Sequence, residues 1–124
     1  MKSVFKLCSS ILIIWLLQIP LLGLTDTQIK EEIKVDRKMA ASIIGIYKAV
    51  DNKKLQKYVN LVGNSVAYFN GRKELNYYFF ILNTREKNAF ACPGGYILIT
   101  KGLLDSLEDE SQLAGVLAHE IAHV

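Results

Sequence analysis

The sequence predicts an α+β fold in which helices pack on a small, mainly antiparallel sheet. Between residues 27 and 69, apolar side chains recur every three to four positions, which is the period of amphipathic helices. Between residues 74 and 100, short runs are rich in the aromatic and branched side chains that are typical of strands. The last stretch, Leu113–Val124, returns to helical spacing. These observations favour one small domain that has its final predicted helix at the C-terminus.

Residues 1–25 are predicted to be a secretory signal peptide. Lys2 and Lys6 precede the uncharged run Leu7–Leu24, which gives the basic and apolar regions of such a signal. An uncleaved membrane anchor formed by residues 7–24 is the alternative, because a run of this length nearly spans a bilayer. We therefore expect an exported protein, periplasmic or otherwise extracytoplasmic, that contacts a membrane only if the leader is retained.

The charge of the remaining chain argues against a nucleic-acid partner. Without Lys2 and Lys6, 13 basic residues stand against 12 acidic ones, and no basic stripe is left. The chain has two cysteines, Cys8 in the leader and Cys92 beyond it. A processed chain therefore has no internal disulfide, and Cys92 is predicted to be a small, semi-buried residue.

Two amphipathic helices are predicted to begin the domain. The first runs from Thr27 to about Val50, and the second runs from Lys53 to Phe69. Asn70–Gly71 then gives a typical helix stop signal. The apolar stripes of both helices are interpreted as faces that pack into the core.

Strands and turns are predicted to follow these helices. Glu74–Asn83 is apolar on both alternating faces, which indicates a strand covered on both sides. Asn88–Cys92 is predicted to be a short extended segment, and Pro93–Gly95 to be a turn that leads into a second strand, Tyr96–Thr100. A short helical piece is expected at Leu103–Leu107.

The final predicted helix carries an H-E-x-x-H motif. Asp109 can cap this helix, and Gln112 can complete a capping pair. His119 and His123 are four residues apart and share a helix face, so both imidazoles can bind one Zn²⁺. Glu120 projects beside them, where it can take a proton from a water on the metal. The alternative is a pair of surface histidines beside a solvated glutamate, which the apolar flanks of a largely buried helix make less favourable.

Several linked segments resemble peptidase family M48, a family of zinc metallopeptidases. They occur in the order expected for that family, and the resemblance covers roughly residues 51–124. The likeness is closer to exported bacterial members and to a related mitochondrial inner-membrane protease. The segments are Tyr58–Asn60, Asn88–Ala91, Pro93–Gly95, Thr100–Leu104 and Leu113–Val124.

The resemblance implies a zincin-like catalytic domain whose N-terminal part is residues 26–124, truncated after the H-E-x-x-H motif. In that family His119 and His123 match zinc ligands, and Glu120 matches the general base. The third zinc ligand of the family, a glutamate, is expected downstream of Val124. The edge strand that binds the substrate backbone in that family matches Asn88, Ala89, Phe90 and Ala91.

The resemblance therefore implies zinc-dependent hydrolysis of peptide bonds in exported or misfolded proteins, with one Zn²⁺ per subunit and a polypeptide as the partner. The alternative function is that of a catalytically inactive fragment, which would act, if at all, by binding unfolded chains at the edge strand. The presence or absence of a third ligand distinguishes these two possibilities.

Overall fold

The computed structural model describes residues 25–124 of the chain. The predicted signal peptide or anchor therefore lies outside the described residues, apart from Thr25 at its end. Within the described part of the chain, no helix has both the length and the apolar character needed to cross a membrane.

Two capped helices begin the domain, as predicted. Helix α1, Asp26–Tyr47, starts at a capping box in which Oγ1 of Thr25 accepts a hydrogen bond from the amide of Gln28 at 3.3 Å. The Gln28 side chain in turn accepts from the Thr25 amide at 2.8 Å. Helix α2, Lys53–Asn70, starts where the side chain of Asn52 accepts from a first-turn amide at 3.0 Å. Each helix thus begins where a side chain satisfies an otherwise unpaired amide.

Three strands form one sheet in the order β1–β3–β2. They are β1 (Tyr78–Leu82), β2 (Ala89–Cys92) and β3 (Tyr96–Thr100). The central strand β3 is antiparallel to β2 and parallel to β1. The α+β fold is confirmed, but the sheet is mixed rather than mainly antiparallel. The parallel pair arises because the chain reverses direction twice, into β2 and again into β3, before β3 pairs with β1.

Both faces of the sheet are covered, which confirms the prediction for the apolar strand β1. Helices α2 and α4 (Glu110–Ala122) pack on one face, where the buried side chains include those of Phe79, Ile81, Ile97 and Ile99. Helix α1 packs on the other face, in a cluster formed by Ala40, Leu82, Cys92 and Leu98. Cys92 is fully buried rather than semi-buried, because its side chain points into this second cluster.

Side chains of α2 close the outer edge of β1. The Nε2 atom of Gln56 donates to the carbonyl of Phe79 at 2.6 Å, and its Oε1 accepts from the amide of Ile81 at 3.3 Å. The Nδ2 atom of Asn60 donates to the same Phe79 carbonyl at 3.2 Å. These bonds satisfy backbone groups that an additional strand would need, so β1 is a poor site for strand addition.

The turn between β2 and β3 also contacts the start of β1. Gly94 and Gly95 adopt φ angles of 85° and 96°, which a residue with a side chain rarely adopts. The carbonyl of Gly95 accepts from the Tyr78 amide at 2.8 Å. A Cβ at Gly95 would lie 2.1 Å from the backbone oxygen of Asn76, so the turn sits directly on the segment before β1.

Helix α3, Lys101–Leu104, follows β3 without a linker. It begins and ends earlier than the predicted piece at residues 103–107, because the last residue of β3 caps it. The amide of Gly102 donates to the carbonyl of Thr84 at 2.9 Å, and a Cβ at Gly102 would lie 2.0 Å from the carbonyl oxygen of Arg85. The loop between β1 and β2 therefore packs directly against α3.

Candidate metal centre and cleft

The start of helix α4 is fixed by two side chains. Asp109 accepts from the amide of Gln112 at 2.8 Å, which confirms the predicted cap. The Oε1 atom of Gln112 accepts from the amide of Glu108 at 2.9 Å. In a capping box it would accept from the amide of the cap residue, Asp109. The helix therefore enters the domain in a defined orientation.

One face of α4 is buried and the opposite face carries the H-E-x-x-H motif. The core side is formed by Leu113, Leu117 and Ile121, which are at most 3% exposed. His119 and His123 are exposed, and Glu120 is half-buried. The predicted burial of this helix thus holds for one face only. The histidines are not among the positions that recur about once per turn on the core side, so they lie on the exposed face.

The two histidines direct one ring nitrogen each toward a common point. Their Nε2 atoms are 3.1 Å apart, and the rings meet edge to face with centroids 4.6 Å apart. Two nitrogens that each lie about 2.0–2.1 Å from one tetrahedral zinc are about 3.3 Å apart. The pair therefore fits the spacing of two ligands on one zinc ion.

Two protein ligands are fewer than a catalytic zinc site normally has, which is three plus a water. Within residues 25–124, no group of three or more His, Cys, Asp or Glu side chains is arranged to hold a metal. The described residues therefore supply two suitable nitrogens and, in Glu120, a carboxylate on the adjacent helix position. Glu120 lines a cleft together with His119.

A cleft of 390 Å³ runs between helix α4 and the beginning of β2. Its walls bring together residues that are far apart in the sequence. The lining residues are Lys87, Asn88, Ala89, Leu103, Gly115, Val116, His119 and Glu120. The first half of the predicted substrate strand, Asn88 and Ala89, therefore lies across the cleft from the H-E-x-x-H motif.

The second half of the predicted substrate strand lies outside this cleft. The ring of Phe90 is on the opposite face of the sheet, with its centroid 6.4 Å from that of Tyr47. Ala91 packs against the core that α2 and α4 cover. Successive side chains of a strand point to opposite faces, so the four residues cannot all contact one cleft through their side chains.

Strand β2 is nevertheless an edge strand, as predicted. The carbonyl of Asn88 accepts from the Thr100 amide at 3.0 Å, so the backbone of Asn88 faces β3. By the alternation of an antiparallel ladder, the backbone groups of Ala89 and Ala91 face the outer edge. The amide of Ala89 donates to Oδ1 of Asn88 at 2.9 Å, a bond that a carbonyl of an added strand could replace.

Thr100 joins two segments that line the cleft, the start of β2 and helix α3, and no functional role was predicted for it from the sequence. Its side chain is completely buried, and its Oγ1 accepts from the amide of Asn88 at 3.0 Å and from that of Leu103 at 3.2 Å. The same hydroxyl lies within donating distance of the carbonyls of Glu86, at 2.6 Å, and Asn88, at 2.9 Å. A threonine between a strand and a helix start could have indicated the cap, but its contacts with the β2 segment depend on the tertiary fold.

Helices α2 and α4 are also joined near the start of the motif helix. The hydroxyl of Tyr58 donates to Oε2 of Glu110 at 3.0 Å. This hydrogen bond, with smaller contributions from desolvation and from the negative charges of Glu110 and Asp109, raises the pKa of Tyr58 above its usual value. The bond links a residue of the first turn of α4 to the second turn of α2.

The chain is similar to known proteins over more than half of its length. The family model of peptidase family M48 matches residues 53–124. The beta-barrel assembly-enhancing protease of Yersinia pestis is 36% identical over 88 residues, which are 71% of this chain and 17% of that protein. The protein of the same name from Escherichia coli K12 is 36% identical over 75 residues, or 60% of this chain and 15% of its own length.

A mitochondrial protein shows the same kind of similarity. The mitochondrial metalloendopeptidase OMA1 of Bos taurus is 40% identical over 53 residues, which are 43% of this chain and 10% of that protein. The chain thus spans less than a fifth of the length of each of these relatives.

Proposed function

Because the chain belongs to peptidase family M48, we propose that it contributes the metal-binding helix and the substrate edge of a zinc-dependent metalloendopeptidase. His119 and His123 would bind the zinc, and Glu120 would be the general base. The observation that carries this proposal is the 3.1 Å separation of the two Nε2 atoms on a helix that lines a cleft. That spacing suits one zinc ion, and the half-buried carboxylate of Glu120 lies in the same cleft.

The metal would complete its coordination with a ligand beyond the described residues. The third ligand is proposed to be a glutamate downstream of Val124, as the family pattern implies. A zinc ion held by these ligands would polarise the scissile carbonyl and make a water acidic enough to react near neutral pH. One Zn²⁺ is proposed for each subunit.

Glu120 is proposed to move the protons of the hydrolysis. Its carboxylate would accept a proton from the attacking water and then donate it to the leaving amine. Its place next to His119 in the helix supports this assignment, since the carboxylate lines the cleft and the imidazoles converge beside it. Proton transfer by a positioned carboxylate typically accelerates such a step about 10²–10⁴-fold.

The outer edge of β2 is proposed to align the substrate. An extended peptide could pair with the outward backbone groups of Ala89 and Ala91 and so lie along the cleft. The other edge of the sheet is closed by Gln56 and Asn60, which supports pairing at β2 rather than at β1. Only an unfolded or flexible segment can add as a strand, so misfolded polypeptides would be suitable substrates. The predicted leader would place the protein among exported polypeptides, which are the other proposed substrates.

Substitution of Glu120 tests this proposal in the full-length protein. Glu120→Gln should retain zinc and lose cleavage of an unfolded protein such as casein by about 10²–10⁴-fold. His119→Ala should lose zinc as well as activity, because one of the ligands is removed. Metal content measured by atomic absorption separates the two effects.

Glu108→Gln provides the control, because Glu108 is exposed and lies outside the cleft. Its rate should equal that of the unmodified protein. If Glu120→Gln cleaved casein at the unmodified rate, the proposed mechanism would be wrong.

A non-catalytic peptide-binding function is the second candidate. It is favoured by the open edge of β2, which needs no metal to pair with an extended chain. In that case His119→Ala would bind a fluorescent unfolded peptide as tightly as the unmodified protein does, and neither protein would cleave it.

A further inference from the structure

Gly115 lies on the floor of the cleft, one helical turn before His119. It is exposed, and a Cβ built on it would meet no atom within 4 Å in the described part of the chain. Two other glycines of the domain, Gly63 and Gly102, are required by packing. A Cβ at Gly63 would lie 2.5 Å from the ring of Phe79, and Gly102 is in similarly close contact with backbone.

Glycine is a poor choice for this position on grounds of stability. In a helix interior it is less favourable than alanine, because its backbone loses more freedom on folding. No neighbour in the described residues excludes a methyl group from Gly115, and the residue lies well inside α4. Because Gly115 lines the cleft, its missing side chain leaves the floor of the cleft bare.

We propose that Gly115 determines the size of the substrate side chain that the cleft accepts beside the scissile bond. This inference rests on the proposed peptidase function. The walls around Gly115 are formed by Ala89, Leu103 and Val116, which are apolar, while Glu120 and His119 lie at the reacting end. A leucine or phenylalanine side chain would bury apolar surface against these walls and lie over the bare floor, whereas alanine would be too short to reach it.

Paired peptides and two glycine substitutions test this inference in the full-length protein. The peptides are fluorogenic and differ at one position beside the cleaved bond, which carries either phenylalanine or alanine. The unmodified protein should cleave the phenylalanine peptide with the higher kcat/KM. Gly115→Ala adds a methyl group to the floor and should reduce the preference for phenylalanine about tenfold, since one methylene in an apolar pocket typically changes selectivity by that order. Gly115→Leu should remove the preference, because its side chain fills the floor that phenylalanine would cover.

Gly45→Ala is the matched control. Gly45 is also an exposed helical glycine whose added Cβ would meet nothing within 4 Å, but it lies in α1, away from the cleft. Both alanine variants should be at least as heat-stable as the unmodified protein, and only Gly115→Ala should change the ratio of the two kcat/KM values. Thermal unfolding is followed by circular dichroism.

Three results would overturn the inference, and they are distinguishable from one another. If the unmodified protein and Gly115→Ala each cleaved both peptides with equal kcat/KM, Gly115 would have no role in specificity. The proposed peptidase function would remain intact. A lower melting temperature for Gly115→Ala alone would mean that Gly115 makes room for another part of the protein. Cleavage of neither peptide, nor of casein, by the unmodified protein would remove the proposed function and this inference with it.

Discussion

Thr100 and Asn88 are joined by hydrogen bonds in both directions. The amide of Asn88 donates to Oγ1 of Thr100 at 3.0 Å, and the amide of Thr100 donates to the carbonyl of Asn88 at 3.0 Å. The same Oγ1 accepts from the amide of Leu103 in helix α3, which also lines the cleft. One buried hydroxyl therefore sets the distance between the edge strand and helix α3.

Two substitutions of Thr100 should separate the contribution of its hydroxyl to stability from the contribution of its side-chain shape. Thr100→Val keeps the shape but leaves the amides of Asn88 and Leu103 without their acceptor. Both bonds are only partly buried, so each loss should cost about 0.5–1.5 kcal/mol, the net value of a typical hydrogen bond. Thr100→Ser keeps the hydroxyl and should be clearly more stable than the valine variant. Urea unfolding of both variants measures the difference. Equal stability of the two would show that the hydrogen bonds of this hydroxyl contribute nothing.

Gln56 should protect the outer edge of β1. Gln56→Leu leaves the amide of Ile81 without a side-chain acceptor, while Asn60 still donates to the carbonyl of Phe79. We therefore expect a modest loss of about 1 kcal/mol in the free energy of unfolding, together with a greater tendency to aggregate. Lys57→Leu adds the same apolar side chain at the neighbouring exposed position and should leave the edge closed. Aggregation is measured by light scattering at matched protein concentrations. Equal aggregation of the two variants would contradict the prediction.

The bond between Tyr58 and Glu110 should make stability depend on pH in the alkaline range. Because the pKa of Tyr58 is raised in the folded state, the bond contributes fully below the ordinary tyrosine pKa of about 10 and is lost as the pH rises through the raised value. The melting temperature of the unmodified protein should therefore fall relative to that of Tyr58→Phe as the pH increases. Glu110→Gln should bring the pKa of Tyr58 back toward its usual value, which absorbance titration detects. An unchanged difference between the melting temperatures across this range would refute the assignment.

The leader should direct export. Lys2 and Lys6 followed by the apolar run Leu7–Leu24 have the order of a secretory signal. Mass spectrometry of the protein from its own host should find an N-terminus between Gly23 and Asp26. An intact Met1 in the membrane fraction would favour the anchor, and a full-length protein in the cytosol would contradict both.

Patterns within one segment predicted the helices and the motif well. The cap of α4 and the buried stripes depend on residues a few positions apart, so they are visible in the sequence. The end of α1 is different. Lys48 adopts a positive φ of 61°, and Ala49 forms a bridge with Leu82, so the helix stops at Tyr47 rather than near Val50. That bridge depends on a strand that follows much later in the chain.

The cleft was predicted only in part, for the same reason. Helical spacing brings His119, Glu120 and His123 together, but no spacing rule brings Thr100 to Asn88 or Leu103 to Gly115. The start of β1 was predicted at Glu74, yet the strand begins at Tyr78, because its partner strand begins at the residue paired with Tyr78. Such contacts follow from how the elements pack and not from any local pattern.

The central position of β3 has a consequence for the order of folding. In the sheet of the described residues, β1 and β2 are both hydrogen-bonded to β3, which follows them in the chain. This sheet therefore cannot form on a ribosome until the chain has passed Thr100. The β2–β3 hairpin closes a short loop and should form within microseconds, whereas its docking on β1 closes a longer one and should be slower. That docking step brings the carbonyl of Gly95 to the Tyr78 amide. Emerging chains would therefore leave β1 without its partner β3 for longer than any other segment of the sheet.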